Sequence, residues 1–379
     1  MNRLGSAMCG SLALIAWTHA GYPAAAAAAA SRSRYRPRTD DAHVPTVALV
    51  IAAHDEERVI GERLDNALAL DYPAELLEIV VTLDGSTDGT RAIVEGYASR
   101  GVTLLDNPRA GKVPAQNAAV RATSSDVVAF SDANSMLEPD ALRRLVRHFA
   151  DPEVGYVCGR LRLIEPGTGR NVEGQYWRYE LWLRALESRL GSITAGNGAI
   201  YAVRRSAYVE LAPGQSHDIG LPFRLRRAGL RSLYEPEAVA SELAAPTTSA
   251  EWERKVRMLS RSWNDVMRGG MLDPRDQPPP YLVGLISHRL LRYATGPLHV
   301  VLLLAALALA TTTRSALAVV AGHALWLGHA LGGRRSPGRS RLADFAWYYL
   351  VVTAASLAGL ARMASQGPQA TWSAAEGTR

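Results

Sequence analysis

Cysteine is nearly absent: Cys9 and Cys158 are the only two in 379 residues. They lack metal-ligand spacing, so neither a zinc site nor a disulfide framework is supported. Lysine is just as scarce. Lys112 and Lys255 are the only lysines among 42 basic residues, which leaves nearly all the positive charge to arginine. Charged residues make up 21% and hydrophobic ones 48%, a balance that excludes a disordered tail protein. The length is more than one domain of about 150 residues needs and too little for three. A net charge of +6 suits nucleic acid or an anionic membrane surface. No nucleic-acid-binding module is recognisable and the arginines gather beside apolar runs, so no nucleic-acid partner is expected.

Those apolar runs set the layout. Residues 4–30 are nearly uncharged and long enough to cross a bilayer, and residues 291–362 are again strongly apolar. Within the latter, spans are expected near 294–312, 315–332 and 344–361, broken at Thr311-Thr312-Thr313-Arg314 and at Gly332-Gly333-Arg334-Arg335. These spans hold almost no ionisable residues of the kind that line transport pathways, which argues against a transporter. Asn2-Arg3 followed by an apolar stretch and small residues also describes a secretory signal peptide. Charge favours an anchor. Arg32, Arg34, Arg36 and Arg38 follow the first run, and Arg334, Arg335, Arg339 and Arg341 lie between the last two spans. Placing both clusters in the cytoplasm puts the middle of the chain there too, with four spans in a plasma or inner membrane and both termini outside. The expected organisation is an anchor over 1–30, a basic linker over 31–45, a soluble domain over 46–248, an amphipathic helix and linker over 249–290, membrane helices over 291–362 and a tail over 363–379.

The soluble part alternates strand and helix. Val47–Ala53 is a continuous apolar run, as a buried parallel strand should be. Helical spacing follows over 56–70, then a strand over 78–83, a helix over 88–99, a strand over 102–105, a helix over 112–122 and a strand over 126–131. This alternation predicts an α/β fold with a Rossmann-like, mainly parallel sheet, in which ligands bind beyond the carboxyl ends of the strands. Three polar clusters fall there: Ala53-His54-Asp55-Glu56, Asp84-Gly85-Ser86-Thr87-Asp88-Gly89 and Ser131-Asp132-Ala133-Asn134. Asp84 and Asp88 also satisfy ordinary turn and helix-cap chemistry. Asp132 and Asn134, two apart at a strand end, suit a hard cation or a plain loop. Lys112 sits at an expected helix start, where amides and an ammonium suit phosphate.

The order and spacing of these clusters resemble a family 2 glycosyltransferase of the GT-A fold. Ala53-His54-Asp55-Glu56-Glu57 is similar to the family's A-Y-N-E-E segment, which implies a nucleotide pocket lined by Ala53, Asp55 and Glu57. Asp84 matches the aspartate that holds the base, and Gly111-Lys112 with Asn117 resembles the G-K-x-x-A-x-N segment. Asp132-Ala133-Asn134 stands where the family carries a metal-binding D-x-D, implying Mg2+ or Mn2+. Tyr176-Trp177-Arg178-Tyr179-Glu180 and the loop Gly196, Asn197, Gly198 resemble the region under the acceptor. His217-Asp218 is similar to the acidic pair and makes Asp218 the expected general base. Gly21-Tyr22-Pro23 resembles the anchors of membrane-bound members.

The resemblance implies inverting transfer from a nucleotide sugar, most simply a UDP-sugar, to a lipid-linked or glycan acceptor. Arg257 or Arg261 would help neutralise the leaving diphosphate. Three departures qualify it. Asn134 replaces one carboxylate of the D-x-D, His217 replaces another, and no Q-x-x-R-W occurs where processive synthases carry it. The alternatives are a processive polysaccharide synthase and a nucleotide-sugar binder without turnover. Lastly, Trp252, Val256, Leu259, Trp263 and Val266 form one apolar helical face among Arg254, Lys255, Arg257, Arg261 and Arg268. Such a helix is expected either to lie in the membrane interface or to pack on the core.

Overall fold

A computed structural model describes residues 3–171, 174–244, 248–335 and 340–367. Arg339 and the tail from 368 onward lie outside the described residues. The first elements are α1 (Arg3–Ala16) and α2 (Tyr22–Arg32), joined through a π-helical turn at Trp17–Gly21. β1 (Val47–Ala53), α3 (Ile60–Leu68), β2 (Leu77–Asp84), α4 (Thr90–Gly96), β3 (Val102–Asn107), α5 (Lys112–Ala122) and β4 (Val127–Asp132) then alternate. They are followed by β5 (Met136–Leu137), α6 (Ala141–Val146), β6 (Val154–Ile164), α7 (Gln175–Arg189), β7 (Ile200–Arg204), α8 (His217–Arg227) and β8 (Arg231–Leu243). The remaining elements are helices: α9 (Thr248–Arg268), α10 (Pro279–Gly284), α11 (Leu291–Tyr293), α12 (Thr295–Leu309), α13 (Arg314–Arg335) and α14 (Arg341–Gln366).

Two compact units are present. Ala29–Glu251 with Asn264–Pro278 holds the sheet; Met1–Ala28, Trp252–Trp263 and Pro279–Gly367 hold the apolar helices. In the first, eight strands run in the order β3-β2-β1-β4-β7-β6-β8-β5. β3, β2, β1 and β4 are mutually parallel, so the carboxyl ends of β1, β2 and β4 share one edge. The expectation of a mainly parallel sheet holds for that half only. β7 is antiparallel to both β4 and β6, and β5 to β8, while β6 and β8 pair in parallel, which makes the whole sheet mixed. All seven residues of β1 are buried, because helices cover both faces. Leu49 and Ile51 pack into the layer holding Leu64 and Leu145; Val50 turns the other way, toward Val120 and Phe130.

In the second unit α13 and α14 are each long and apolar enough to cross a membrane. The segment Pro279–Tyr293 and α12 meet that test together but bend by 63°, giving two spans, or three if the bent pair is one. The bend has a local cause. Pro297 lacks the N–H that would bond to the Tyr293 carbonyl one turn back. The Ser356 hydroxyl donates to that carbonyl instead. This is how a broken helix satisfies its backbone in an apolar surrounding. The spans expected near 294–312, 315–332 and 344–361 correspond to α12, α13 and α14.

The N-terminal stretch is helical, but neither α1 nor α2 alone reaches the roughly 20 residues a span needs. Met8 packs among Leu302, Ala305, Ala306 and Leu309, the Thr18 hydroxyl donates to Ser287 O, and Trp17 Nε1 donates to Ser287 Oγ at 2.9 Å.

One expectation about the helical unit changes. The spans were read as nearly free of ionisable groups, yet His19, His299 and His323 converge with Tyr349. His299 bonds to His323 at 3.1 Å and to Tyr349 Oη at 2.9 Å, and Tyr349 Oη lies 3.4 Å from His19. A bundle interior can hold such groups because they satisfy one another. The Trp252–Trp263 part of the amphipathic helix also spends its apolar face on α14. Trp263 Nε1 donates to Ser356 O at 3.1 Å, and Gly359 admits the close approach, since a Cβ there would lie 2.9 Å from Ser260 N. On the polar side Lys255 Nζ donates to Tyr348 Oη at 2.8 Å.

Candidate active site

The site is built where β1, β2 and β4 end. Asp84, the last residue of β2, is 1% exposed. Its Oδ1 accepts the amides of Ala110 and Gly111, each at 2.7 Å, and its Oδ2 meets Arg109 Nη1 at 2.8 Å. The carboxylate therefore organises the loop that delivers Lys112 to the first turn of α5. Gly111 has φ 111° and ψ 161°, a conformation essentially open to glycine alone. A side chain at 111 would forfeit both the loop and the position of Lys112.

The cluster after β1 braces the one after β2. Asp55 holds φ 52°, rare for a residue with a side chain. Its Oδ1 accepts the Thr87 amide at 2.7 Å, and its own amide donates to Ser86 Oγ at 3.2 Å. Glu57 Oε2 accepts the Gly89 amide at 2.8 Å, and the Glu57 amide donates to Asp88 Oδ2 at 3.1 Å. These bonds explain why helix α3 starts at Ile60 and not near 56 as its spacing predicts. Residues 54–57 use their donors and acceptors across the loop. Ala53 closes β1 beside Leu83.

The third cluster joins distant parts of the chain. Lys112 Nζ pairs with Asp132 Oδ1 at the end of β4. Gly198 lies against both: a Cβ there would be 3.6 Å from Lys112 Nζ and 3.9 Å from Asp132 Oδ2. Two residues back, the Gly196 amide donates to Asp218 O at 2.7 Å. Asn197 sets the loop's shape, donating to Gly159 O at 2.6 Å and accepting the amides of Ala199 and Ile200. A Cβ on Gly196 would fall 2.0 Å from Tyr156 Oη, so only glycine fits. Asp218 is half-buried in the first turn of α8, where the helix dipole favours a carboxylate. Asp84, Lys112, Asp132, Gly196, Gly198 and Asp218 are thus connected within one unit.

His217, for which the sequence offers no role, is fully enclosed. Its Nδ1 lies 2.7 Å from Tyr201 Oη and its Nε2 3.2 Å from Tyr208 Oη. Burial, helped by the charges of Lys112 and Arg224, pushes its pKa down to about 3, so the ring is neutral. It supports the wall behind Asp218 and adds no charge.

Arg63, on α3, is a residue the sequence does not single out. It is wholly buried, Nη1 donates to Asn66 Oδ1 at 3.0 Å, and Asn66 Nδ2 in turn donates to Leu137 O at 2.9 Å. Burial pulls its pKa down to about 9, and the charge of Asp132 opposes that fall. The arginine falls on the buried stripe of an amphipathic helix, where periodicity alone signals an apolar residue. Arg257 and Arg261 lie on the stretch of α9 grouped with the apolar helices. Burial and the like charges of Arg261, Arg254 and Arg362 pull the Arg257 pKa down.

For a divalent cation, Asp132 and Asn134 offer one carboxylate and one amide oxygen, a donor type that suits Mg2+ or Mn2+. Among the described residues no group of three His, Cys, Asp or Glu side chains is arranged to hold a metal. The pair fits a cation whose remaining ligands come from water and a diphosphate. Lys112 competes for the one carboxylate. Asn134→Asp is therefore expected to tighten metal binding about tenfold or more, since a unit charge close by in a partly screened site contributes more than 1.4 kcal/mol. Titration calorimetry with Mn2+ in the presence of nucleoside diphosphate reads this directly, and unchanged affinity would exclude residue 134 from the ion's surroundings.

Residues 48–211 match the family model described as Glycosyl transferase family 2. A poly-beta-1,6-N-acetyl-D-glucosamine synthase from Staphylococcus aureus (strain COL) is 27% identical over 222 residues, 56% of this chain and 53% of that protein. An N-acetylglucosaminyltransferase from Mesorhizobium japonicum is 29% identical over 245 residues, 59% of this chain and 57% of that one. The alignments span only a little over half the length of these curated relatives. Among solved structures, a mannosyltransferase from Pyrobaculum calidifontis in complex with GDP-Man and Mn2+ superposes with a TM-score of 0.72 at 22% identity. It covers 95% of this chain and 99% of its own. At that identity the likeness is one of fold.

Proposed function

We propose that this chain, whose residues 48–211 match the glycosyl transferase family 2 model on a GT-A-like sheet, is a glycosyltransferase that moves a sugar, with inversion, from a nucleotide sugar to a lipid-linked or glycan acceptor at a membrane. The observation that carries the reading is the Gly196–Gly198 loop, which lies against the Lys112–Asp132 pair at one end and bonds the backbone carbonyl of Asp218 at the other. Inverting transfer needs a base on the acceptor hydroxyl and cations on the departing diphosphate, within one sugar's width of each other.

Asp218 takes the hydroxyl proton as the acceptor oxygen attacks the anomeric carbon. Lys112 meets the negative charge left on the diphosphate, exchanging its contact with Asp132 for one with phosphate. Asp132 and Asn134 would hold a divalent ion, which would supply further positive charge to the leaving group. Asp84 keeps the loop before Lys112 in place beside the nucleotide, with Ala53, Asp55 and Glu57 forming the pocket wall. Arg257 and Arg261 are proposed to assist the diphosphate. A UDP-sugar is the proposed donor, on the sequence resemblance and on the names of the N-acetylglucosaminyl relatives. The helices α12 to α14 and the packed N-terminal helix support a multi-pass plasma-membrane protein, and the arginine clusters support a cytoplasmic sheet unit.

A second reading, repeated transfer to give a polymer, is favoured by the polysaccharide synthases among the relatives. Detergent-purified protein offered UDP-, GDP- and dTDP-sugars, with and without Mn2+ or Mg2+, tests both. Metal-dependent release of one nucleotide, lost in Asp218→Asn, is the expected result. Product length with an added acceptor separates single from repeated transfer. If no nucleotide sugar binds under any condition, the roles given to Asp84 and Asp132 are wrong.

A further inference from the structure

Ser216 stands immediately before α8, where a serine normally turns its hydroxyl onto the helix's free amides. This one makes no such cap. Its amide and its hydroxyl both donate to Oδ2 of Asp265, at 3.2 and 2.6 Å. The neighbouring Asn264 Nδ2 donates to Gly214 O at 3.1 Å. Two consecutive residues of α9 therefore grip the turn over 214–216, and the next residues in the chain are His217 and Asp218. The grip is enclosed: Asp265 is 1% exposed, and its Oδ1 has no hydrogen-bond partner among the described residues.

Within the Asn264–Pro278 segment nothing else accounts for a carboxylate at this depth. An unpaired acceptor is costly to bury, so an apolar residue would pack there at lower cost. The charged groups that face Asp265 both come from α8. Asp218 pushes its carboxyl up and Arg224 pulls it down, while burial outweighs both and holds it at about 7.

We propose that Asp265 is a positioning residue for glycosyl transfer: through Ser216 it fixes the first turn of α8 and so holds Asp218 beside the Gly196–Gly198 loop. The proposal rests on Asp218 as the base. A misplacement of about 1 Å in such a group costs on the order of 10²-fold in rate. Asp265 also places a titrating carboxyl next to that base. Below about pH 7 it keeps its proton; above, it adds a negative charge facing Asp218.

Asp265→Ala, Ser216→Ala, their double variant and Asp265→Asn test this in the full-length protein, with nucleotide release as the assay and Asp218→Asn as the control. Asp265→Ala and Ser216→Ala are each expected to lower kcat by about 10- to 100-fold with the donor KM within about twofold. The double variant should be no worse than Asp265→Ala alone, because both act through one contact. Asp265→Asn keeps an acceptor for Ser216 and should retain most of the activity. It should also lose the inflection near pH 7 expected of the parent in kcat/KM, a change a merely structural role would not produce. Additive losses in the double variant overturn the proposal, and so does an inflection that persists in Asp265→Asn. Should Asp265→Ala fail to fold, Ser216→Ala and Asp265→Asn decide alone. Full activity in Asp218→Asn would refute the base assignment; an inactive Asp218→Asn beside an unaffected Asp265→Ala would refute only the role given to Asp265.

Discussion

Asp218→Asn is expected to lower kcat by about 10²- to 10⁴-fold, the range for loss of a general base, while donor affinity stays within about twofold. The exchange is close to isosteric. It leaves the backbone contact between Gly196 N and Asp218 O untouched and removes the charge and basicity of the side chain. Asp218 also sits in the first turn of α8, where a neutral residue forgoes about 0.3–1 kcal/mol of interaction with the helix dipole. That loss is small beside the rate effect, so a normal unfolding midpoint together with lost turnover would assign the group to chemistry. Calorimetric binding of nucleoside diphosphate supplies the second readout. Turnover within tenfold of the parent would remove Asp218 from the mechanism.

Asp132 carries the other large effect, and it acts on two levels. Asp132→Ala is expected to cost at least about 10²-fold in kcat, because it removes the carboxylate proposed for a divalent ion and the partner that aims Lys112. It also takes away the charge that offsets the wholly buried Arg63. Stripping one partner from a buried charge typically costs about 3–5 kcal/mol, reduced here because the Asp132 side chain is 29% exposed and water screens it. A lowered unfolding midpoint is therefore expected alongside the lost activity. Adding Arg63→Met separates the two. The double variant should recover the midpoint and remain inactive; recovery of activity would mean that Asp132 matters only to the fold.

How much of this was legible beforehand depends on the range of the interaction. The parallel half of the sheet follows from the continuous apolar run of β1 and the regular alternation after it, and its carboxyl edge follows from topology. The three polar clusters are found where that rule puts them. Hydrogen bonds between loops leave no such trace. Asp84 looks like a residue facing solvent or ligand, whereas its oxygens are committed to Arg109, Ala110 and Gly111. The start of α3 is displaced because Asp55 and Glu57 bond across to Thr87 and Gly89, which no helical period encodes. His217 becomes a buried neutral ring only once Tyr201 and Tyr208 enclose it. The antiparallel pairings of the sheet are hidden for a related reason: β7 enters between β4 and β6 from far along the chain, and strand direction is not written in the strand's own residues.

The scarcity of lysine has a chemical consequence. Lys255 is 5% exposed and bonded to Tyr348, which leaves Lys112 as the one partly accessible side-chain primary amine in the protein. Apart from the α-amino group, a reagent selective for amines should therefore report on the proposed diphosphate pocket, its yield at Lys112 falling as donor fills that pocket. In an arginine-rich chain, occupancy of the site becomes readable by acylation at a single side chain.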